Sequence, residues 1–205
     1  MKYLEIEYPT INKIYVSALC RYLVGRFNLP HKAKLLDLGC GTGDYVKAFW
    51  ELGFRAIGVD RPFDFEKDSL SFASNYFDIV FSKSTLEHIF NTQHILSEVY
   101  RVLKKDGIAI FLVPDWASQW RYFYDDSTHI KPFTLKGLKQ AFLLADFKIV
   151  EVSKFLQLPF LWRFPFLKFI PPVVSILPDT TRYWAKVIRF SKERMLLLVA
   201  RKALI

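Results

Sequence analysis

Cysteine is almost missing from this chain: Cys20 and Cys40 are the two it has among 205 residues. Two thiols cannot build a disulfide framework or a cysteine-based zinc cluster, so a reducing, cytoplasmic setting is expected, and no metal. Acidic side chains are nearly missing from the C-terminal quarter. Residues 154–205 hold two Asp and Glu against ten Lys and Arg, whereas residues 1–153 are close to balanced, 18 against 19. Most of the net charge of +9 is therefore concentrated at one end, and a basic surface of that kind attracts phospholipid head groups or another anion. Long uncharged runs are missing as well. No window of about 18 residues is free of charge, so no spanning helix is expected. Glu5, Glu7 and Pro9 interrupt the place where a secretory signal would carry its apolar core. With 52% apolar residues, the chain has enough material for a core, and its length suits one domain.

Periodicity organises the rest. Residues 10–28 carry apolar side chains at helical spacing, and Pro30 closes that helix. Lys34 to Leu38 reads as a buried strand running into the turn Gly39-Cys40-Gly41-Thr42-Gly43, with a helix after it that ends at Gly53. Further strands are expected at 54–60, 77–81, 108–113, 147–152 and 194–201. Helices are expected at 93–104 and 134–144, with a turn at 105–107. Strands alternating with helices, several of them apolar at every position, predict an α/β domain. Its sheet is Rossmann-like, doubly wound, mostly parallel and flanked by helices. One domain over residues 1–205 is expected: an N-terminal helical segment (1–32), a cofactor-binding core (33–153), a basic aromatic insertion or lid (154–193) and a last strand (194–205).

An open parallel sheet binds its ligand at the carboxyl ends of its strands, where the strand order reverses. Here the first two strand ends are the glycine turn and Asp60. Glycine lets a ligand approach the backbone, and an acid on the neighbouring strand accepts both hydroxyls of a ribose. A dinucleotide would ask for G-x-G-x-x-G with its diphosphate on the helix N-terminus. This turn is G-x-G-x-G, with Asp37 before it and Asp44 directly after it, and those acids repel a diphosphate. They suit a ligand bearing an ammonium and a sulfonium.

Four ordered motifs carry a family resemblance. Leu35-Leu-Asp-Leu-Gly-Cys-Gly-Thr-Gly43, Ile57-Gly-Val-Asp60, Phe77-Asp-Ile-Val-Phe-Ser-Lys-Ser-Thr-Leu-Glu-His-Ile89 and Leu96-x-Glu98-x-x-Arg101-Val-Leu-Lys-Lys-Asp-Gly107 resemble the motifs of class I S-adenosylmethionine-dependent methyltransferases of the type 11 kind. The resemblance implies S-adenosylmethionine as cofactor, with S-adenosylhomocysteine as product. It implies that Gly39, Cys40, Gly41 and Gly43 line the methionine end and that Asp37 holds the ammonium. It implies that Asp60 takes the ribose hydroxyls beside Arg61, and that Ser82 lies near the methyl. For adenine, Asp64 (with Phe65 over the ring) and Asp68 compete. The family's usual third strand is shortened to a loop in this segment.

His129, in a Thr-His-x-x-x-Phe-Thr context, is the expected general base or acceptor-binding group. Glu87 and His88 read as residues that pack their loop. Trp116, Trp120, Tyr122 and Tyr124 read as an acceptor wall. The acceptor is expected to be a small molecule, a glycan or a lipid-linked compound. Residues 154–194, with Arg163, Lys168, Lys186, Arg189, Lys192 and Arg194 among aromatics, suggest a peripheral contact with an acidic membrane surface. Nucleic acid is not expected, since no nucleic-acid module is visible. The rival readings are a binding protein that holds the cofactor or a membrane surface without transfer, and a nicotinamide oxidoreductase, which the acids around the turn disfavour.

Overall fold

The computed structural model describes residues 13–164, 166, 167 and 194–203. Three helices, α1 (Lys13–Phe27), α2 (Asp44–Glu51) and α3 (Thr92–Val102), alternate with strands β1 (Lys34–Leu38), β2 (Arg55–Val59) and β3 (Phe77–Lys83). There follow β4 (Leu103–Pro114), α4 (Trp116–Gln119), α5 (Leu135–Leu143), β5 (Phe147–Leu156), α6 (Pro159–Arg163) and β6 (Arg194–Lys202). The strands form one sheet in the order β2-β1-β3-β4-β6-β5, parallel except for β6, which lies antiparallel between β4 and β5. The expected α/β architecture is therefore the observed one.

Burial of both sheet faces explains why the middles of the central strands are largely apolar. Along β4, Ile108, Ile110 and Leu112 face α1 and α2 together with Leu35 and Phe81. Ala109, Phe111 and Val113 face α3 and α5 with Leu36, Leu38 and Val80. Since successive side chains point to opposite faces, only a continuous apolar run satisfies both layers. Phe111, fully buried, meets Phe142 of α5 edge-on, with ring centroids 5.0 Å apart.

Several boundaries differ from the sequence reading: β3 runs on to Lys83, and β5 runs on to Leu156, into the expected insertion. The helix expected to reach residue 104 stops at Val102, and residues 105–107, expected as a turn, belong to β4. The cause is a kink within the strand: Leu103 pairs with Phe77, the register shifts, and pairing resumes at Ile108 with Ile79. Asp106, in left-handed backbone at φ 61°, supplies the turn-like signal inside that irregularity. The N-terminal helix is described from Lys13, so residues 10–12 of the expected span lie outside the described residues. So does most of the basic aromatic insertion, including Lys168, Lys186, Arg189 and Lys192.

Residues 60–76 contain no strand, as the shortened segment predicted, and β2 is the sheet edge. Polar anchors hold this segment in place of a strand. Arg101 Nη1 and Nη2 donate to the carbonyls of Phe72 and Leu70 (2.7 and 2.8 Å), and its Nε and Nη2 also bind Glu98 (2.8 and 2.7 Å). The Glu98 carboxylate accepts from Leu70 N at 2.7 Å. Glu66 accepts from Phe90 N and Asn91 N (2.6 and 2.7 Å). Arg101→Ala leaves Glu98 without its cation and two carbonyls without donors. It is expected to cost about 2–3 kcal/mol, reduced from the fully buried case because Arg101 is one-third exposed. For a domain of this size that lowers the melting temperature by roughly 5–10 °C, with new protease cutting at 62–76. An unchanged melting temperature would show that the loop does not depend on this anchor.

Candidate functional site

The strand order reverses at β1, whose chain continuation leads to β2 on one side while β3 lies on the other. Loops from β1, β2, β3 and β4 converge at this end of the sheet. Gly39 N and Cys40 N donate to Val59 O (2.8 and 3.2 Å), tying the glycine turn to the tip of β2. Gly39, Gly41 and Gly43 all take positive φ (80°, 52° and 78°). A Cβ on Gly39 would run into the Thr85 side chain, whereas Cβ atoms on Gly41 and Gly43 would meet nothing within 4 Å. Gly39 is thus required by the protein's own packing, and the other two leave open space above the turn. Cys40 is a packing residue: its side chain occupies the space that Gly58, having no Cβ, leaves free.

Asp37 is almost fully buried at the end of β1, and its Oδ2 has no hydrogen-bond partner within the protein. Burial first, and the charge of Asp60 second, push its carboxyl up to about 8. An orphaned buried carboxylate beside an open glycine turn is what a ligand ammonium would complete. Asp60 lies across the turn. Its Oδ2 accepts from Gly41 N at 2.6 Å and its Oδ1 from Arg61 N at 2.7 Å, and each oxygen keeps a lone pair for a further donor. Asp44, in the first turn of α2, accepts from Thr42 Oγ1 at 2.6 Å, so that helix N-terminus already carries an anion of its own. The residues present therefore fit S-adenosylmethionine and disfavour a diphosphate.

Asp37 also makes a pH dependence. Because its folded pKa is raised, the stability linked to it is full below the ordinary carboxylate range and is lost as pH rises towards about 8. An ammonium prefers the ionised form, so cofactor binding is expected to release protons between pH 6 and 7.5 and to tighten across that range. Calorimetry in phosphate and in Tris should show the release for the wild type. Asp37→Asn should abolish it, and equal release by the variant would remove Asp37 from this role.

The other expected residues are placed less directly. Ser82 is buried, with its Oγ donating to Leu38 O at 2.7 Å, so its proton is spent between β1 and β3. Asp64 serves its own turn, accepting from Glu66 N at 2.9 Å and pairing with Lys67 at 3.3 Å, while Asp68 accepts from Asp64 N at 2.9 Å. Phe65 packs against Phe63, with ring centroids 5.1 Å apart. The structure does not bring Asp64 or Asp68 to the glycine turn through any hydrogen bond.

Opposite the turn, the loops after β3 and β4 meet. Ile130 N and Lys131 N donate to Glu87 O (2.9 and 3.0 Å), which pins the later loop over the earlier one. The rings of His88 and His129 stand 4.8 Å apart. His129 Nδ1 lies 2.6 Å from Phe123 O, and His88 Nδ1 lies 3.0 Å from both Thr128 O and Thr128 Oγ1. The Asp126 carboxylate lies 3.8 Å from His129 Nε2. Burial lowers the His88 pKa, and burial also pushes the Glu87 carboxyl up to about 8. Trp116, Tyr124 and Phe123 pack edge-to-face next to this group. On the same two loops Phe90, Trp120, Tyr122 and Tyr124 are each more than half exposed. The sequence singled out His129 and the aromatics as an acceptor side, with Glu87 and His88 as residues that pack their loop; the structure brings Glu87, His88 and His129 together. The alternation of Glu87 and His88 beside a loop rich in Asp, Thr and His was the available signal.

The family described as a methyltransferase domain matches residues 13–152. A Schizosaccharomyces pombe protein described as an uncharacterised methyltransferase is 32% identical over 120 residues, covering 47% of this chain and 45% of the relative. The ubiquinone/menaquinone biosynthesis C-methyltransferase UbiE of Burkholderia mallei is 26% identical over 133 residues, covering 52% and 55%. The chain thus spans about half the length of the curated relatives it matches. A Haloferax volcanii complex of the Trm112 methyltransferase activator with a methyltransferase contains a similar fold. Its TM-score is 0.70, with 20% identity over 94% of this chain and 92% of the other.

Proposed function

This chain belongs to the class I S-adenosylmethionine-dependent methyltransferases, and from that premise we propose that it methylates a hydroxyl of an apolar, lipid-like acceptor. The observation that carries the acceptor class is the rim of exposed aromatic side chains. Phe90 stands on the loop that carries His88, and Trp120, Tyr122 and Tyr124 on the loop that carries His129. Large apolar groups left in water on neighbouring loops mark a surface that takes an apolar partner. The similarity to UbiE, whose name places it in ubiquinone and menaquinone biosynthesis, supports the acceptor class; UbiE is named a C-methyltransferase, so the choice of a hydroxyl rests on His129.

Asp37 and Asp60 would hold the amino-acid and ribose ends of the cofactor over Gly41 and Gly43. Bound there, the sulfonium supplies an electrophilic methyl group. The chain's own part is to align the acceptor, exclude water and take the hydroxyl proton. Holding reactants in line contributes up to about 7–11 kcal/mol to barrier lowering in favourable cases. His129 is the proton acceptor in this reading: its Nδ1 faces a backbone carbonyl, so Nδ1 holds the ring proton and Nε2 keeps a lone pair. The aromatic rim, with the basic residues of 154–194, would seat the protein at an acidic membrane surface where such acceptors reside. Among the described residues, no helix is long and apolar enough to cross a membrane.

The test is transfer of labelled methyl from S-adenosylmethionine into an organic extract and an aqueous extract of cells. Label in the organic phase, lost in His129→Ala, is the expected result. Label confined to the aqueous phase would overturn the lipid-like acceptor, and label in neither would favour a protein that binds the cofactor without transfer.

A further inference from the structure

Glu87, His88 and His129 each offer one donor atom, and the three atoms lie within 4.8 Å of one another. We propose that these three side chains bind a divalent cation of the zinc, cobalt or manganese kind at the acceptor side of the site.

Three independent features of the geometry support a ligand here. Glu87 is fully buried; the backbone amides of Thr85 and of Glu87 itself face its carboxylate, but neither oxygen makes a full hydrogen bond. Lys83, whose charge Glu87 feels, points its amine at Ser84 Oγ (3.5 Å). A buried carboxylate left unsatisfied on both oxygens is rare and costly, and a cation relieves it. Both histidines, secondly, have fixed tautomers. Phe123 O can only accept, so His129 Nδ1 carries the proton. The Thr128 hydroxyl already donates to Asp126 Oδ1 at 2.5 Å, so His88 Nδ1 must donate to Thr128. Each ring is therefore left with its lone pair on Nε2 and with its other nitrogen anchored to backbone oxygen, the arrangement that orients imidazoles as metal ligands. Thirdly, the donor set is two imidazoles and one carboxylate. That set selects borderline divalent ions over magnesium or calcium, and it leaves coordination positions open for water or an acceptor oxygen.

A cation about 2.1 Å from each donor would draw the three atoms together by about 1 Å. The loop of residues 126–131 would supply that movement: Asp126 and Thr128 are exposed, and the ties that must shift with it are the Glu87 carbonyl, the His88–Thr128 contact and Lys131 Nζ, which donates to Phe90 O and Thr92 Oγ1. The Asp126 Oδ2 atom, 3.8 Å from His129 Nε2, stands by as a further oxygen donor. A cation seated there would take the Nε2 lone pair of His129, which would then be a ligand and not the proton acceptor.

The inference does not rest on the acceptor reading, since binding is read without cofactor or acceptor. The probe is Co2+ added to the metal-stripped full chain, followed by its visible absorption and by proton NMR. About one equivalent is expected to bind at micromolar affinity. Two exchangeable imidazole protons should be strongly shifted, one from each Nδ1–H. Glu87→Gln, His88→Asn and His129→Asn should each weaken binding at least tenfold, and His94→Asn, a control outside the cluster, should not. Binding to the wild type no tighter than to Glu87→Gln, or shifted imidazole protons that survive in His88→Asn and His129→Asn, would overturn the proposal. If a variant melts, the wild-type NMR spectrum decides alone, and absence of shifted imidazole protons overturns it. S-adenosylhomocysteine binding, measured alongside, separates this failure from failure of the methyltransferase reading.

Discussion

Asp60→Ala is expected to weaken S-adenosylmethionine binding by about 100-fold. The carboxylate already holds the glycine turn through Gly41 N, at 2.6 Å, and retains lone pairs directed at the space above it. Hydrogen bonds to a charged acceptor contribute about 1.5–3 kcal/mol each, and two ribose hydroxyls meeting one carboxylate lose about 3 kcal/mol when it is removed. At 1.4 kcal/mol per decade that is close to a hundredfold. Asp60 is half-exposed, so the melting temperature of the free protein should move by only a few degrees. Glu51→Ala, an exposed carboxylate at the other end of α2, is the control. Isothermal titration measures both. Equal affinities for wild type and Asp60→Ala would remove Asp60 from the ribose and leave the site without its main specificity element.

Gly39→Ala is expected to be the most damaging single methyl in the chain. At φ 80° an alanine pays about 1–2 kcal/mol in backbone strain, and its Cβ would overlap the Thr85 side chain, which adds about 1–3 kcal/mol of overpacking. The sum, about 2–5 kcal/mol, should lower the melting temperature by roughly 5–15 °C. Loss of function should exceed loss of stability. Thr85 Oγ1 donates to Leu38 O at 3.2 Å and leads directly into Glu87 and His88, so displacing it disturbs the cofactor turn and the histidine pair together. Thr85→Ala should partly rescue Gly39→Ala by removing the overlap while leaving the strain. Gly41→Ala, with open space at its Cβ position, should cost less stability while still hindering the cofactor. Equal losses of stability at positions 39 and 41 would show that the Thr85 contact does not matter. Thermal melts and cofactor titration of the four variants provide the comparison.

The features legible in the sequence are those set by near neighbours in the chain. Three glycines spaced by single residues, an acid two positions ahead of them and another at the next strand end are a local pattern. Parallel strands buried on both faces are apolar on both, so Ile108 to Val113 declares itself, and Leu35 to Leu38 does so with Asp37 as its one polar exception. The shortening between Asp60 and Phe77 was legible by counting residues, and the loop there confirms it.

Tertiary structure decided what depends on distant partners. No local pattern shows that β6 enters antiparallel between β4 and β5, since either parallel or antiparallel pairing buries the same apolar strand. The strand start at Leu103 was hidden because a register shift opposite Phe77 lets a turn-like Lys-Asp-Gly step lie within a strand. Glu87 and His88 are about 40 residues from His129, and each alone looks like a loop residue. They become one cluster only because the Glu87 carbonyl accepts two amides from the later loop and because backbone oxygens fix both imidazoles. Chain spacing determines which residues a turn presents. Which turns face each other, and which buried carboxylate is left without a partner, follows from packing that brings distant segments together.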